Sequence, residues 1–306
     1  MKRSIFPLAL CAAGMLLLIL DSRQACNSAR EALELCFRTV IPSLFPFFLL
    51  SAFLTGLGGG NLYFSGFLGG YPVGAQTLAL WVKFGKLDKS AANRCLSWCS
   101  QAGPSFIFGI AASQFPHMAY GWALWSIQIL SALTVKYFLC PSVRIMPEKD
   151  RAGYPNLSSS MNSALRAMAS VCGWVILFRV ILGFLNRWFF FLLPDIVKIL
   201  ISGLLELTNG CLMLQTIENL QLRFLLCLLF LNFGGFCVVL QTLSVAENLD
   251  IRYYLAGKGL QCLFTLCYGC LLFGIWPGIL PISLIWLGRI LRKVRKNSSN
   301  PAPVGV

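Results

Sequence analysis

The sequence predicts an all-α polytopic membrane protein with about eight transmembrane helices and one re-entrant or broken helix. The first reason is composition, because the 306-residue chain is 57% hydrophobic and only 12% charged, whereas soluble domains carry about 25% charged residues. The second is that apolar stretches recur at the length of roughly 20 residues that crosses a hydrocarbon core. The third is that polar interruptions rich in glycine and proline occur in each half of the chain, as in transport folds built from two repeats, here of inverted topology.

The predicted elements follow from the apolar stretches in chain order. Residues 58–82 are too rich in glycine and too short for two clean spans, so they form the predicted re-entrant piece. The predicted spans are residues 5–20, 40–57, 95–115, 119–139, 171–193, 196–217, 222–245 and 260–287. The predicted organisation is an N-terminal anchor helix and outer loop (1–38), a first membrane half (39–139), a cytoplasmic polar linker (140–165), a second membrane half (166–288) and a basic cytoplasmic tail (289–306).

Basic residues predict the orientation of the chain. The net charge of +14 would suit nucleic acid, but no aromatic and basic nucleic-acid module accompanies it, so we expect no such partner. The basic residues instead cluster beside the apolar stretches: Lys2, Arg3, Lys83, Lys86, Lys89, Arg94, Arg144, Lys149, Arg151, Arg289, Arg292, Lys293, Arg295 and Lys296. This positive-inside pattern predicts a multi-pass protein of the cell inner (cytoplasmic) membrane, in contact with the lipid bilayer, with both termini cytoplasmic. No small-x-small cleavage site follows the first apolar run, which favours an uncleaved anchor over a secretory signal.

The sequence carries little that could support catalysis or metal binding. The single histidine, His117, follows a proline at a predicted outer loop and is expected to be a solvated turn residue. No nucleophile-elbow, zinc-protease or phosphate-loop pattern occurs. Most of the 13 cysteines lie in apolar runs, where cysteine behaves as a small apolar residue. We therefore expect no enzyme activity, no metal and no cofactor.

The first half contains two short segments that are predicted to break helices. Pro72 removes a backbone donor and disfavours helical geometry at the residue before it. Gly66, Gly70 and Gly74 fall four residues apart, so they share one face if the segment is helical and allow close backbone approach. The predicted helix-breaking residues of this half are Gly70, Pro72, Gly74, Gly103 and Pro104. The polar side chains beside the breaks are Gln76, Ser100, Gln101 and Ser105.

The second half adds a charge to the same pattern. Glu206 is followed by Thr208 and Asn209 within a predicted span, and an ionisable residue there is a functional-site candidate by default. Its carboxyl group is either ionised against a cation or ligand, or protonated by desolvation. The alternative is that Arg179 is a purely structural partner of Glu206. In that interpretation the breaks are packing kinks between helices. The predicted breaks of this half are Gly210, Gly234 and Gly235, and Gln241 adds an amide about two turns after Gly234.

Four motifs in order, GGYPVGAQ, SQAGPSFIFG, GLLELTNG and NFGGFCVVLQ, resemble those of the YlbJ-type sporulation integral membrane proteins, of the nucleoside recognition (Gate) domain group. The resemblance covers roughly residues 36 to 269. It implies two Gate-like repeats and a role in endospore formation, and it identifies no substrate. The chain departs from the family where an extra segment usually separates the glycine-rich turn near Gly58 from GYPVGA, because that link is nearly absent here.

Two functions from different classes are compatible with these features. The first is a transporter or channel-like component for an unidentified small solute (nucleoside-like, an ion or a metabolite), bound at the membrane midplane between the two repeats. The predicted solute-binding residues are Gln76, Ser100, Gln101 and Ser105 from one half and Glu206, Thr208, Asn209 and Gln241 from the other. The alternative is a non-transporting assembly factor for the spore envelope or cortex, whose basic loops at 83–94 and 144–151 bind membrane partners or anionic lipid. A homo-oligomer is compatible with both.

Overall fold

The computed structural model describes residues 5–56, 61–140, 157–246 and 248–275, and these segments contain helices and no strands. The α-helices are α1 (Ile5–Leu20), α2 (Ser22–Leu35), α3 (Ile41–Gly56), α4 (Leu62–Phe67), α5 (Val73–Lys83), α6 (Lys89–Leu96), α7 (Pro104–Phe106), α8 (Ala119–Leu139), α9 (Leu157–Trp188), α10 (Asp195–Leu205), α11 (Leu207–Met213), α12 (Leu220–Phe233), α13 (Gly235–Val245) and α14 (Ile251–Leu272). A π-helical turn, Cys36–Val40, joins α2 to α3, and another, Ile107–Ala111, continues α7.

Four helical segments of the described chain are long and apolar enough to cross a membrane, which confirms the membrane class. They are Ala119–Leu139, Leu157–Trp188, Leu220–Val245 and Ile251–Leu272. A fifth span results if Ser22–Val40 and Leu44–Leu54, bent by 56°, are one unit. The predicted count of about eight is not confirmed, because the predicted spans 95–115 and 196–217 are each divided into short helices. Residues 276–287 of the last predicted span and the basic tail 289–306 lie outside the described residues.

The helices pack as two groups that share a middle layer. In one group α14 packs against α8 and α12, and in the other α9 packs against α2, α3 and α13. The middle layer includes α5, which contacts α3, α6 and α13. This arrangement brings the interrupted segments of both halves to the centre of the structure, where apolar side chains such as Leu78, Phe224 and Phe230 are fully buried.

The helix breaks occur where the sequence places glycine and proline. Gly70, Gly234 and Gly235 have φ angles of +81°, +82° and +79°, a backbone conformation that glycine adopts without a Cβ clash. Pro104 is the first residue of α7, and Gly103 precedes it in extended conformation, the position where a missing N–H costs the helix nothing. The element predicted at 58–82 is indeed broken, into α4 and α5.

Two of the predicted break residues lie inside helices instead. Gly74 belongs to α5 and Gly210 to α11. Gly66 and Gly74 do not share one helix, yet both abut the same backbone carbonyl, because a Cβ would lie 2.6 Å and 1.8 Å from the Cys99 oxygen. A Cβ on Gly210 would lie 2.2 Å from the Cα of Gly203. These glycines are needed for close helix approach rather than for a turn.

We expect Gly74→Ala to destabilise the protein strongly. The new methyl group would overlap the Cys99 carbonyl oxygen. Because this oxygen belongs to the backbone, it cannot move aside as a flexible side chain would, and the overpacking costs about 1–3 kcal/mol or more. Gly173→Ala in α9 is the matched control, because nothing lies within 4 Å of its Cβ position and alanine favours a helix by roughly 0.5–1 kcal/mol. Thermal unfolding of the detergent-solubilised variants measures the difference. Equal melting temperatures for the two variants would contradict the packing described for α5.

Candidate solute site

A small cavity lies where the interrupted segments of the two halves meet. Its volume is about 80 Å³, which holds a few water molecules at roughly 30 Å³ each. The glycines and polar residues that line this central cavity are Thr39, Gly69, Gly70, Tyr71, Gly103, Ser105, Glu206, Thr208 and Gln241. Apolar side chains, including Leu44, Val171 and Val238, complete the wall. A partly polar cavity therefore lies between the two halves. A packing kink would instead have a dry, purely apolar contact at this junction.

Glu206 lies at the break between α10 and α11 and is 4% exposed. One carboxylate oxygen accepts a hydrogen bond from the backbone N–H of Thr208 at 2.9 Å, and the other accepts one from Asn209 at 2.8 Å. Glu206 thus occupies the N-cap position of α11, where a side-chain acceptor satisfies otherwise unpaired amides. The proposed structural partner is otherwise engaged, since Arg179 pairs with Glu31 at 3.0 Å.

A buried lysine that sequence reasoning missed connects the two halves beside this cavity. Lys258 of α14 is 1% exposed. Its ammonium group donates to the Tyr71 hydroxyl at 2.8 Å, the Ser100 carbonyl at 2.6 Å and the side-chain oxygen of Gln261 at 3.1 Å. The ion pairs of the described chain do not include Lys258, and its nitrogen is surrounded there by neutral oxygens and by the rings of Tyr71 and Tyr254, at 4.7 Å and 5.7 Å. Tyr71, which accepts a hydrogen bond from this ammonium group, also lines the central cavity.

Amide side chains extend this contact into a buried network. Gln261 exchanges hydrogen bonds with Gln101 at 2.6 Å and 3.0 Å and donates to Asn232 at 2.7 Å. Asn232 in turn donates to Thr265 at 3.0 Å. Gln128 donates to the backbone oxygen of Ala102 at 2.9 Å, which satisfies a carbonyl of the non-helical segment before α7. Such buried networks favour one arrangement of a core.

A second, larger cavity of about 740 Å³ lies between α5, α9 and α13. We call it the vestibule. Its polar and charged lining residues are Gln76, Lys83, Ser159, Asn162, Ser163, Arg166, Ser170, Ser244 and Asn248. The Gln76 amide nitrogen lies 3.5 Å from the Ser163 hydroxyl, whereas its side-chain oxygen is buried without a hydrogen-bond partner.

The structure divides the predicted binding residues among three locations. Ser105, Glu206, Thr208 and Gln241 line the central cavity. Ser100 and Gln101 are fully buried in or beside the lysine network. Asn209 contributes its backbone amide to Glu206, and Gln76 faces the vestibule. His117 is exposed in a turn, as predicted.

Comparison with known proteins points to one relative. The chain is similar to the sporulation integral membrane protein YlbJ of Bacillus subtilis (strain 168). The two are 26% identical over an alignment that covers 74% of this chain and 72% of YlbJ. This confirms the resemblance to YlbJ-type proteins inferred from the four motifs. No family model matches the chain, so its place in the nucleoside recognition (Gate) group stays a prediction. No solved structure matches it.

Proposed function

We propose that the chain is a transporter or channel-like component for a small solute in a membrane of the spore-forming cell. The observation that carries this proposal is the central cavity, which the first-half break residues Gly70 and Gly103 line together with the buried carboxylate of Glu206 from the second half. Non-helical backbone and ionisable groups at membrane depth are tolerated where they face protein or a wet cavity, and they mark solute pathways. The sporulation context comes from the similarity to the sporulation integral membrane protein YlbJ.

The mechanism we propose is alternating access of the two halves around the central cavity. Each half would be one Gate-like repeat of inverted topology, and the breaks would allow the short helices to shift. The cavity of about 80 Å³ is too small for a nucleoside-sized molecule, so this conformation is contracted and a larger solute requires opening. We place the protein in the cell inner (cytoplasmic) membrane with cytoplasmic termini, on the distribution of basic residues.

The charge of the vestibule favours a solute with a negatively charged group at entry. Lys83 and Arg166 line it, and its described lining contains no aspartate or glutamate. A cavity lined by one sign of charge raises the local concentration of the opposite sign. Anions therefore belong in any solute screen beside nucleosides and metal ions.

Uptake into proteoliposomes tests this proposal. We expect one of three solute classes (nucleosides, small mono- and dicarboxylates, divalent metal ions) to accumulate severalfold above protein-free liposomes. Lys198→Met is a control that should transport normally, because Lys198 lies at the start of α10 and pairs with Asp195. Absence of uptake across all three classes would count against transport.

The alternative, a non-transporting assembly factor, makes a different prediction about the basic segment 83–94. Its residues include α6, which Asp88 caps through the backbone amide of Ala91, so this segment is folded and could present a defined surface. If reversing the charges of Lys89 and Arg94 abolishes spore formation while substitutions in the central cavity do not, the assembly role is favoured. The opposite result supports transport.

A further inference from the structure

The vestibule and the central cavity lie in series along the same three chain segments. On α9, Ser170 lines the vestibule and Val171 the central cavity. On α13, Ser244 lines the vestibule and Gln241 the central cavity. Around the start of α5, Gln76 lines the vestibule and Tyr71 the central cavity. These pairs are one, three and five positions apart, and three helical residues rise roughly 4.5 Å, so the partition between the two cavities is at most about one helical turn thick.

The partition consists of apolar side chains. A single buried cluster contains Phe48, Val73, Ala164, Ala167, Met168 and Val171. One of its members, Ala167, lines the vestibule, and another, Val171, lines the central cavity. Val73, which is 1% exposed, lies in the chain between Tyr71 and Gln76. A tightly packed apolar layer of this kind blocks water and polar solutes, and such hydrophobic constrictions act as gates in membrane pores.

The lining of the vestibule includes one buried oxygen, on the Gln76 side chain, that has no hydrogen-bond partner among the described residues. Asn162 and Arg166 are exposed, Ser163 and Ser170 are half-buried, and Gln76 is 6% exposed. The Gln76 side-chain oxygen is buried and receives no hydrogen bond from the described residues. Buried acceptors are nearly always satisfied, which points to a donor supplied by a bound molecule.

We propose that the vestibule holds its own solute site at Gln76, in series with the central cavity, and that the layer of Val73, Ala167 and Val171 is the gate between them. The site takes a small polar solute that offers an O–H or N–H group to the Gln76 oxygen, with Ser163 and Ser170 beside it. In this conformation the vestibule is open and the gate is closed. The inference rests on the proposed transport function but names the order of its steps: binding at Gln76, then passage through the apolar layer to Glu206.

Thiol labelling tests the gate without any knowledge of the solute. The probe is the membrane-impermeant reagent methanethiosulfonate ethylsulfonate, applied to vesicles of either orientation, and peptide mass spectrometry separates the introduced cysteine from the 13 native ones. We expect Ser170→Cys to react from one face only. Thr208→Cys, in the central cavity, should react at least about tenfold more slowly from that face. Adding Val171→Ala to Thr208→Cys should remove most of that difference.

Equal labelling of the two cysteines in the otherwise unchanged protein would overturn the gate, whatever the result of the uptake assay. The expected labelling pattern with no uptake of any solute would leave the gate in place and remove transport. The Gln76 site has its own test in Gln76→Leu, which should leave the melting temperature unchanged while lowering uptake severalfold. The control is Gln128→Leu, which should lower the melting temperature because the Gln128 amide donates to the Ala102 carbonyl at 2.9 Å, whereas the Gln76 amide reaches only the Ser163 hydroxyl, at 3.5 Å. A comparable thermal loss in Gln76→Leu would overturn the Gln76 site.

Discussion

Lys258→Met is expected to reduce both the stability and the transport activity of the protein. The substitution keeps an unbranched chain of similar length but removes the donor for Tyr71, Ser100 and Gln261. Gln261 retains Gln101 as a partner, whereas the Ser100 carbonyl lies in a non-helical segment and loses its ammonium donor. A buried acceptor left unsatisfied costs about 1–3 kcal/mol. Removing a buried charge returns part of this, so we expect a net loss of about 1–2 kcal/mol.

Denaturant unfolding in detergent and uptake by the same preparation measure these two effects. Lys198→Met, at a surface pair, should change stability by less than about 0.5 kcal/mol. Lys258→Arg keeps the charge but has no spare room, because the site is 1% exposed, so we expect an intermediate loss. If Lys258→Met unfolds and transports like the unaltered protein, the lysine network does not hold the two halves together.

Hydropathy predicted the class of the protein and the positions of its breaks, but not which apolar stretches stay helical. Residues 95–115 are apolar enough to be a predicted span, yet the chain leaves the helix after α6 and resumes at Pro104. The carbonyls freed in that segment are satisfied by Lys258 and Gln128, which come from other helices. A window along one stretch of sequence contains no information about such distant donors. Residues 196–217 are also apolar enough to be a predicted span and are also divided. There the acceptor that restarts the helix is the side chain of Glu206, within the stretch itself.

The solute-binding role of the predicted residues stays a prediction, and their spatial division could not be predicted from the sequence. Glu206, Thr208 and Gln241 share a cavity with the first half, as the repeated break pattern predicted. Lys258 was missed because the predicted last span began at residue 260, which placed this lysine outside the membrane. Its partner Tyr71 lies 187 positions away in the sequence. The signal that could have found Lys258 is its place within the helix-forming run Ile251–Leu272. An ionisable residue inside a span usually pairs with another polar group.

Glu206 is expected to have two separable roles, as a helix cap and as a solute ligand. Glu206→Ala removes the acceptor for the amides of Thr208 and Asn209 and should cost about 1–2 kcal/mol, as for other N-cap truncations. Glu206→Asn places one of the best capping residues at the same position, so we expect it to recover most of that stability. Both variants remove the carboxylate from the central cavity, so both should fail to transport.

The contrast with Asn61 shows which role matters for function. Asn61 caps α4 in the same way, by accepting from the amides of Tyr63 and Phe64, but it does not line the central cavity. Asn61→Ala should therefore lose stability by about 0.5–2 kcal/mol and still transport once folded. A Glu206→Asn protein that is stable and inactive, beside an Asn61→Ala protein that is less stable and active, separates chemistry at the cavity from helix capping. Full uptake by Glu206→Asn would show that Glu206 acts only as a helix cap and not as a solute ligand.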